Sequence, residues 1–501
     1  MPAPFKDYPA DYFQNQLFPS NVFDLLPDDH DCFVYRDLFE QLDTSAVDAQ
    51  YSRRGQHAYA PRQVVSILIY AYSHGVFSSR QIEKRCNEDL GFMYVAGKRC
   101  PNFRVLSDFR KDQGDFFRSC FKQTVQMALE LEMVSLGHVS LDGSKFKANS
   151  SKHKAMSYGR MKERERVLCG EIEDLVERAR CCDEEEDRAY RERTGYELQE
   201  DLRDKQQRLE RIRQAKQALE AREAELRPGQ AIEDNKQISF ADKDARIMGK
   251  KGAFDYAYNA QIGVDGDAQI IVGQHVSQAA NDQREVGRAL DELEASSGRL
   301  PDKMSLDNGY YSGDNLQAVS DRGVEAYIAT DRGEKPAKTG LEDSDRPLVK
   351  ADFRYDEARD GFHCPGGQFL ALRRVDAEGR RVYQGEDEVC AACVYHDRCC
   401  RSKSGAARTV TSDGREPLRR AMNERMSRPE SRAIYRRRKA IVEPVYGQIK
   451  NTGFRGFGVR GLSKVAGEFS LVCAAHNIKK MVHAAKAGVV RLEFGQRAAL
   501  A

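Results

Sequence analysis

The chain has no excess of charge of either sign. Its 501 residues hold 80 Lys and Arg against 78 Asp and Glu, a formal balance of +2, so net charge alone names no partner. It also lacks an apolar run long enough to cross a bilayer. The longest, VVSILIYAY at 64–72, falls far short of the ~20 residues a spanning helix needs, which predicts a soluble protein with no membrane partner. The first twenty residues contain acids and prolines but no apolar stretch of the kind a secretory signal carries. Thirteen cysteines, an odd number scattered over a long chain, argue against a disulfide framework and for a reducing cytosol.

The length allows about two to four domains. Hydrophobic residues at 40% with charged residues at 32% describe a globular but ionic chain. The charge is unevenly placed. Residues 401–480 carry 19 basic against 6 acidic side chains, a local excess of +13, and this section is the candidate polyanion surface. Residues 160–227 carry 17 basic and 20 acidic side chains with almost no turn formers except Thr194-Gly195, the signature of a charged helical hairpin. Its second arm places Leu198, Leu202, Leu209, Ile212, Leu219 and Leu226 on one seam, interrupted by Lys205, Lys216 and Glu223. Pro228-Gly229 ends it. Such an arm reads as a spacer or an oligomerisation element.

Residues 1–130 read as a helical domain. The helical spacing over 62–72 closes at Gly75, and Ser78 with Gln81 resembles a capping box opening a second helix. The short connection has the proportions of a helix-turn-helix, whose second member presents Arg80, Lys84 and Arg85 outward. The competing reading is two packed helices with a solvated basic face. Pro101-Asn102 opens a further helix.

The period then changes. Strands are expected at 138–141, 258–264, 269–276, 304–306 and 324–329, with helices at about 282–297 and 314–322, a layout compatible with a mixed sheet carrying helices. Two strands run into an aspartate closely followed by glycine, at Asp142-Gly143 and Asp307-Asn308-Gly309. A carboxylate at a strand's carboxyl end sits on the rim where open α/β sheets bind ligands, and paired carboxylates suit hard cations such as Mg²⁺. The competing reading of each motif is a turn. Glu443, in IVEPVYG, is the expected third acid, preferred to Glu430 and Glu468; Pro444 places it at the start of its helix.

Residues 336–415 interrupt the pattern with Gly, Pro and five cysteines. Cys364, Cys390, Cys393 and Cys399 form a candidate structural zinc site, with His363 or His396 as substitutes and plain thiols as the alternative. Helical character resumes near Leu418 and runs to about Ala485.

The wording LDGSKFKANSS at 141–151, SLDNGYYSGDNL at 305–316 and VEPVYGQIKNTGFRGFGVRGLSKVAGEFSLVCAAHNIKKM at 442–481 resembles bacterial insertion-sequence DDE transposases. The segment YSRRGQHAYAPRQVVSILIYAYSHGVFSSRQIEK, with LSDFRK at 106–111, resembles the helical N-terminal domain of insertion-sequence-5-like members. The resemblance implies an α/β fold with an RNase H-like five-stranded mixed sheet. The expected division is a helical DNA-binding domain at 1–130, a catalytic core at 131–158, 230–335 and 416–485, a charged hairpin insertion at 159–229, a Cys-rich insertion at 336–415, and a tail at 486–501.

The implied activity is binding of the element's terminal inverted repeats, DNA cleavage and strand transfer by a two-metal mechanism, with Asp142, Asp307 and Glu443 holding Mg²⁺ or Mn²⁺. Lys450 matches the basic residue expected one repeat after the glutamate. Tyr310, Lys450 and Arg455 are candidates for positioning DNA, and Arg436, Arg437, Arg438 and Lys439 for binding phosphate, against ordinary surface or core roles. Partners would be double-stranded DNA, both element ends and target, and further copies of the chain in a homodimer or larger oligomer. The setting would be the bacterial cytoplasm, at the nucleoid. The alternatives are a metal-dependent nuclease without strand transfer, a catalytically inactive sequence-specific DNA-binding protein, or an assembly scaffold built on the hairpin.

Overall fold

The computed structural model describes residues 21–51, 58–150, 155–186, 195–250, 253–330, 346–377, 379–402 and 406–492. About half of the fold is helical. Its centre is a mixed sheet of β1 (His138–Lys147), β2 (Ala253–Asp265), β3 (Ile271–Ser277), β4 (Lys303–Leu306) and β5 (Glu325–Ile328), in the spatial order β3-β2-β1-β4-β5. β1, β4 and β5 run parallel, while β2 is antiparallel to both β1 and β3. The short strand Arg246–Lys250 pairs with the first part of β2. The apolar runs of β1, β3 and β4 are buried, as expected of strands covered on both faces.

The helices at Val286–Ser297 and Gly313–Asp321 connect β3 to β4 and β4 to β5. The second of these is the crossover that the parallel neighbours β4 and β5 require. The last described helix, Leu462–Lys486, is buried over most of its length. It packs against β3 and also against Pro61–Ser73 and Gly114–Glu130 of the N-terminal helices. Gly467 and Gly114 make the closest crossing, because a Cβ on Gly467 would lie 2.5 Å from Gly114 Cα. One hydrophobic core therefore extends from Cys32 in the N-terminal helices through the sheet to Val482.

A buried polar tie reinforces that join. Glu468 Oε1 accepts from the Tyr72 hydroxyl at 2.8 Å, Oε2 accepts from Gly458 N at 2.7 Å, and Arg110 lies 3.9 Å away. Glu468 thus serves as a buried ion-pair and hydrogen-bond partner at this join.

The helix-turn-helix proportions appear as Pro61–Ser73 and Ser79–Glu88, joined through Gly75 at φ +76°. The capping box does not form, since Ser78 makes no side-chain cap bond. The charged segment forms two antiparallel helices, Tyr158–Glu186 and Gly195–Leu226, closed at the base by pairing of Ala155–Ser157 with Gln237–Ser239. Leu209, Ile212 and Leu219 are buried on the seam, but Leu226 is exposed. Lys205 and Lys216 interrupt the seam because they meet Glu171 and Glu165 of the facing helix, at 2.5 and 2.9 Å.

The Cys-rich segment holds a five-stranded antiparallel sheet, Arg354–Asp356, Gly361–His363, Phe369–Val375, Arg381–Gln384 and Thr409–Ser412. It has a small core of its own that includes Phe353, Phe362, Leu370 and Tyr383. Sequence patterning gave no sign of these strands.

Candidate active site

The pairing of β1 with β4 ends at Leu141 opposite Leu306, which sets Asp142 and Asp307 side by side on the sheet's rim. Asp142 is not beyond its strand, as the strand-end reading expected. β1 continues to Lys147 against β2, and only its pairing with β4 stops. Asp142 Oδ1 accepts from Gly143 N at 2.9 Å, and Asp307 Oδ1 caps the following turn by accepting from Gly309 N at 2.7 Å. Burial pushes the Asp142 carboxyl up to about 6; neighbouring Asp307 and Asp282 add to the rise, and Arg438 and the Gly143 amide oppose it.

Glu443 is the first residue of the helix Glu443–Asn451, with Pro444 in the opening turn, where a proline costs no backbone hydrogen bond. Tyr446 fastens this helix across the sheet, its hydroxyl donating to the carbonyls of Asp142 at 3.0 Å and Ala260 at 2.6 Å. One turn further, Lys450 Nζ donates to Ser144 Oγ at 2.6 Å and lies over the Phe146 and Tyr446 rings. Arg455 is exposed on the segment beside the end of β1.

Arg438 departs from the expected phosphate-binding surface. Arg436, Arg437 and Lys439 are exposed, but Arg438 is 9% exposed at its side chain and turns inward. Its guanidinium stands among the acids, with Nη1 3.0 Å from Glu443 Oε1 and Nη2 3.3 Å from Asp142 Oδ1 and 3.8 Å from Asp307 Oδ2. In the short helix Arg438–Ile441 the two buried residues, Arg438 and Ile441, stand three apart on one face, so this arginine of the run faces in while its neighbours face out. Tyr310 is likewise fully buried, its hydroxyl donating to Gln261 Oε1, and so has a core position instead of a DNA-facing one.

A fourth carboxylate belongs to this rim. Asp282, on the loop after β3, accepts from Asn259 Nδ2 at 2.8 Å and Gln261 Nε2 at 2.6 Å. A Cβ at Gly143 would lie 2.9 Å from Asp282 Oδ1, and one at Gly309 3.3 Å from Oδ2. Both motif glycines thus leave room for it. Asp282 lies five residues after β3, outside the strand-end pattern that singled out Asp142 and Asp307.

The acids supply oxygen donors of the kind Mg²⁺ takes, but they are spread around the guanidinium. Among the described residues no three His, Cys, Asp or Glu side chains converge closely enough to hold a metal ion. The arrangement as it stands does not fit a divalent cation. The cysteines of the small domain lie near one another: the thiols of Cys364 and Cys393 flank Gly366, Cys390 neighbours Cys400 and Cys393, and Cys399, buried in the small core, neighbours Cys400 and Cys390.

At the other end, Arg80, Lys84 and Arg85 are exposed. Lys84 and Arg85 pair with Glu88 and Asp89 at 3.7 and 3.1 Å, and Arg80 lies over the Phe103 ring. No helix is long and apolar enough to cross a membrane among the described residues.

Comparison with known families gives two matches. A transposase DDE domain model matches residues 363–482, which include Glu443 and most of the five-stranded sheet, and a transposase domain model (DUF772) matches residues 20–112. No curated protein and no solved structure matches. Similarity to transposase domains therefore flanks the segment that folds into the central sheet.

Proposed function

We propose that this chain binds the terminal inverted repeats of its own mobile element, cleaves DNA at the element ends and transfers the strands to target DNA. The sheet order β3-β2-β1-β4-β5, with β2 antiparallel to its neighbours, is the order that an RNase H-like core implies. The observation that carries the reading is the convergence of Asp142, Asp307 and Glu443, from two adjacent strands and a crossing helix, on one guanidinium. Carboxylates do not gather on a sheet rim for stability alone, since their mutual repulsion must be offset.

The exposed Arg436, Arg437 and Lys439 lie beside that rim and suit phosphate contacts, while Arg80, Lys84 and Arg85 suit recognition of the ends. A DNA-binding protein without chemistry is the second reading, favoured by the absence of a converged metal site among the described residues.

One experiment separates the two. Wild-type protein should nick and join DNA carrying the element's ends when Mg²⁺ or Mn²⁺ is added. Asp142→Asn, Asp307→Asn and Glu443→Gln should each lower the rate by several orders of magnitude and leave end binding in place. Wild-type protein that binds ends without nicking them would favour the second reading.

A further inference from the structure

We propose that the cleft between the last helix and the N-terminal helices is a further seat for the DNA backbone, in which Lys479 and Lys480 hold phosphates of the duplex. This rests on the transposase reading above and extends it to a surface that does not include the acids.

Three observations carry it. The first is positive charge without a counter-charge. The cleft has a volume of about 800 Å³ and lies between Ser73 and Phe77 on the N-terminal side, Gln448 and Thr452 after the sheet, and Lys479 and Lys480 on the last helix. Among the described residues no Asp or Glu lines it. Lys479 Nζ donates to Ser73 O at 3.0 Å, and Lys480 Nζ donates to Gln269 Oε1 at 2.8 Å. Both partners are neutral, and an ammonium has three N–H groups to give.

The second is that the charges are half-buried and held in place. Burial lowers the Lys480 ammonium below the usual lysine range. It also pushes the neighbouring His476 ring down to about 4, opposed by the bond to Gln269 O and reinforced by Lys480 and Lys479. Two like charges in a partly dry cleft are unfavourable until an anion joins them. Lys480 is fixed by a framework, not by a loose surface contact. Gln269, on the turn between β2 and β3, holds a left-handed φ of +57° that residues other than glycine rarely adopt. Its side chain also accepts from Gln448 Nε2 at 3.1 Å and donates to Ala440 O at 2.8 Å, and its carbonyl meets His476 Nε2 at 3.0 Å.

The third is continuity. Lys480 also lines a smaller cavity of about 410 Å³ with Arg437, Ala440 and the turn at 266–269. Arg437, Lys480 and Lys479 therefore follow one another from the exposed basic run toward Ser73. The basic lining stops there: His74, exposed at the mouth, lies 3.0 Å from Asp31, and the next cavity, which contains Arg85, also contains Asp29, Asp31 and Asp89. Cations set in succession suit a polymer of phosphates, whereas one small anion would fill a single cavity. Ammonium groups meet phosphates as point charges and read no bases, so this seat would add affinity for any duplex.

The test is binding of the full chain to a random-sequence duplex and to a duplex carrying the element's ends, over a salt series. Lys479→Gln with Lys480→Gln should weaken both DNAs alike, by about tenfold or more, and flatten the salt slope by about two units. Lys479→Arg with Lys480→Arg, which keeps both charges, should stay near wild type. An unchanged slope in the glutamine variant, with wild type binding DNA, would overturn the seat and leave the transposase reading standing. Wild-type protein that binds no duplex would overturn that reading. Inorganic phosphate is the second probe: if it raises the melting temperature of wild type but not of the glutamine variant, and the DNA slope is unchanged, the cleft holds a small anion and the proposal fails. Should the glutamine variant not fold, acylation of wild-type lysines by an amine-reactive ester decides. Lys479 and Lys480 should lose reactivity when duplex is bound, and equal labelling with and without duplex would overturn the proposal.

Discussion

Glu285 shows how a single buried side chain holds the rim in place. It sits just ahead of the helix Val286–Ser297 and is 6% exposed. Its carboxylate lies 2.7 Å from His275 Nε2 and accepts from Ser277 Oγ at 2.7 Å, closing the loop that carries Asp282 back onto β3. Burial alone would raise its carboxyl, but the hydrogen bonds from His275 and Ser277 hold it below the usual glutamate range. A depressed carboxyl adds stability that is present above the unfolded value and lost as the pH falls through the folded one. Glu285→Gln should therefore cost about 1–3 kcal/mol at neutral pH, and the difference from wild type should shrink below about pH 4. Urea melts of both proteins across pH 3–7 would show it; a gap independent of pH would mean that charge is not what the site uses. At this scale the sequence was legible where chemistry has a fixed wording. Asp142, Asp307 and Glu443 sit in recognisable strings, whereas Arg438 is one of four consecutive basic residues whose direction only the helix geometry decides. Asp282 lies in a loop without periodicity.

Edge strands need their open hydrogen-bonding side managed, and β3 is dealt with by a side chain of the last helix. Asn477 Oδ1 accepts from Ile271 N at 2.9 Å, and its Nδ2 donates to Ile271 O at 2.9 Å and to Thr124 Oγ1 at 3.2 Å. The residue is fully buried. Asn477→Ala would leave both backbone groups of Ile271 without these partners, at a cost of about 2–4 kcal/mol. Hydrogen exchange should locate the loss in β3 and the helix Leu462–Lys486; uniform destabilisation would point instead to the cavity alone. Four of the five central strands were read to within about five residues because each carries an apolar stretch bounded by turn-forming residues. The extension of β1 to Lys147 was missed, since Gly143, Ser144 and Lys145 interrupt the apolar run. The Cys-rich sheet was missed for a different reason. Its strands are three to seven residues long, and Phe369–Val375 has five exposed positions in succession, so no alternation marks them.

Across the whole molecule the net charge is near zero, and the proposed split between end recognition at the N-terminal helices and phosphate binding near Arg437 is testable by salt titration. Arg437→Ala with Lys439→Ala should weaken binding to every duplex and flatten the salt dependence by about one unit for each phosphate contact removed. Arg80→Ala with Lys84→Ala should reduce the preference for element ends over random DNA. An unchanged preference in the second variant would place recognition elsewhere. The sequence read residues 1–130 as a separate domain, yet their helices share one core with the sheet. That continuity depends on contacts between positions some four hundred residues apart, such as Tyr72 with Glu468, which no local pattern carries. The base of the charged hairpin has a bearing on how such a chain finds its fold. β1 and β2 pair over nine residues, although roughly a hundred residues separate them. Bringing two such distant segments together carries an entropic penalty that grows with the intervening length. The small pairing of Ala155–Ser157 with Gln237–Ser239, once made, lets the two helices act as a side branch and shortens the effective loop to some 26 residues. By the logarithmic dependence, that lowers the closure cost by about 1 kcal/mol. The hairpin can thus form early from local contacts, and the central sheet can then assemble as though most of the intervening chain were absent.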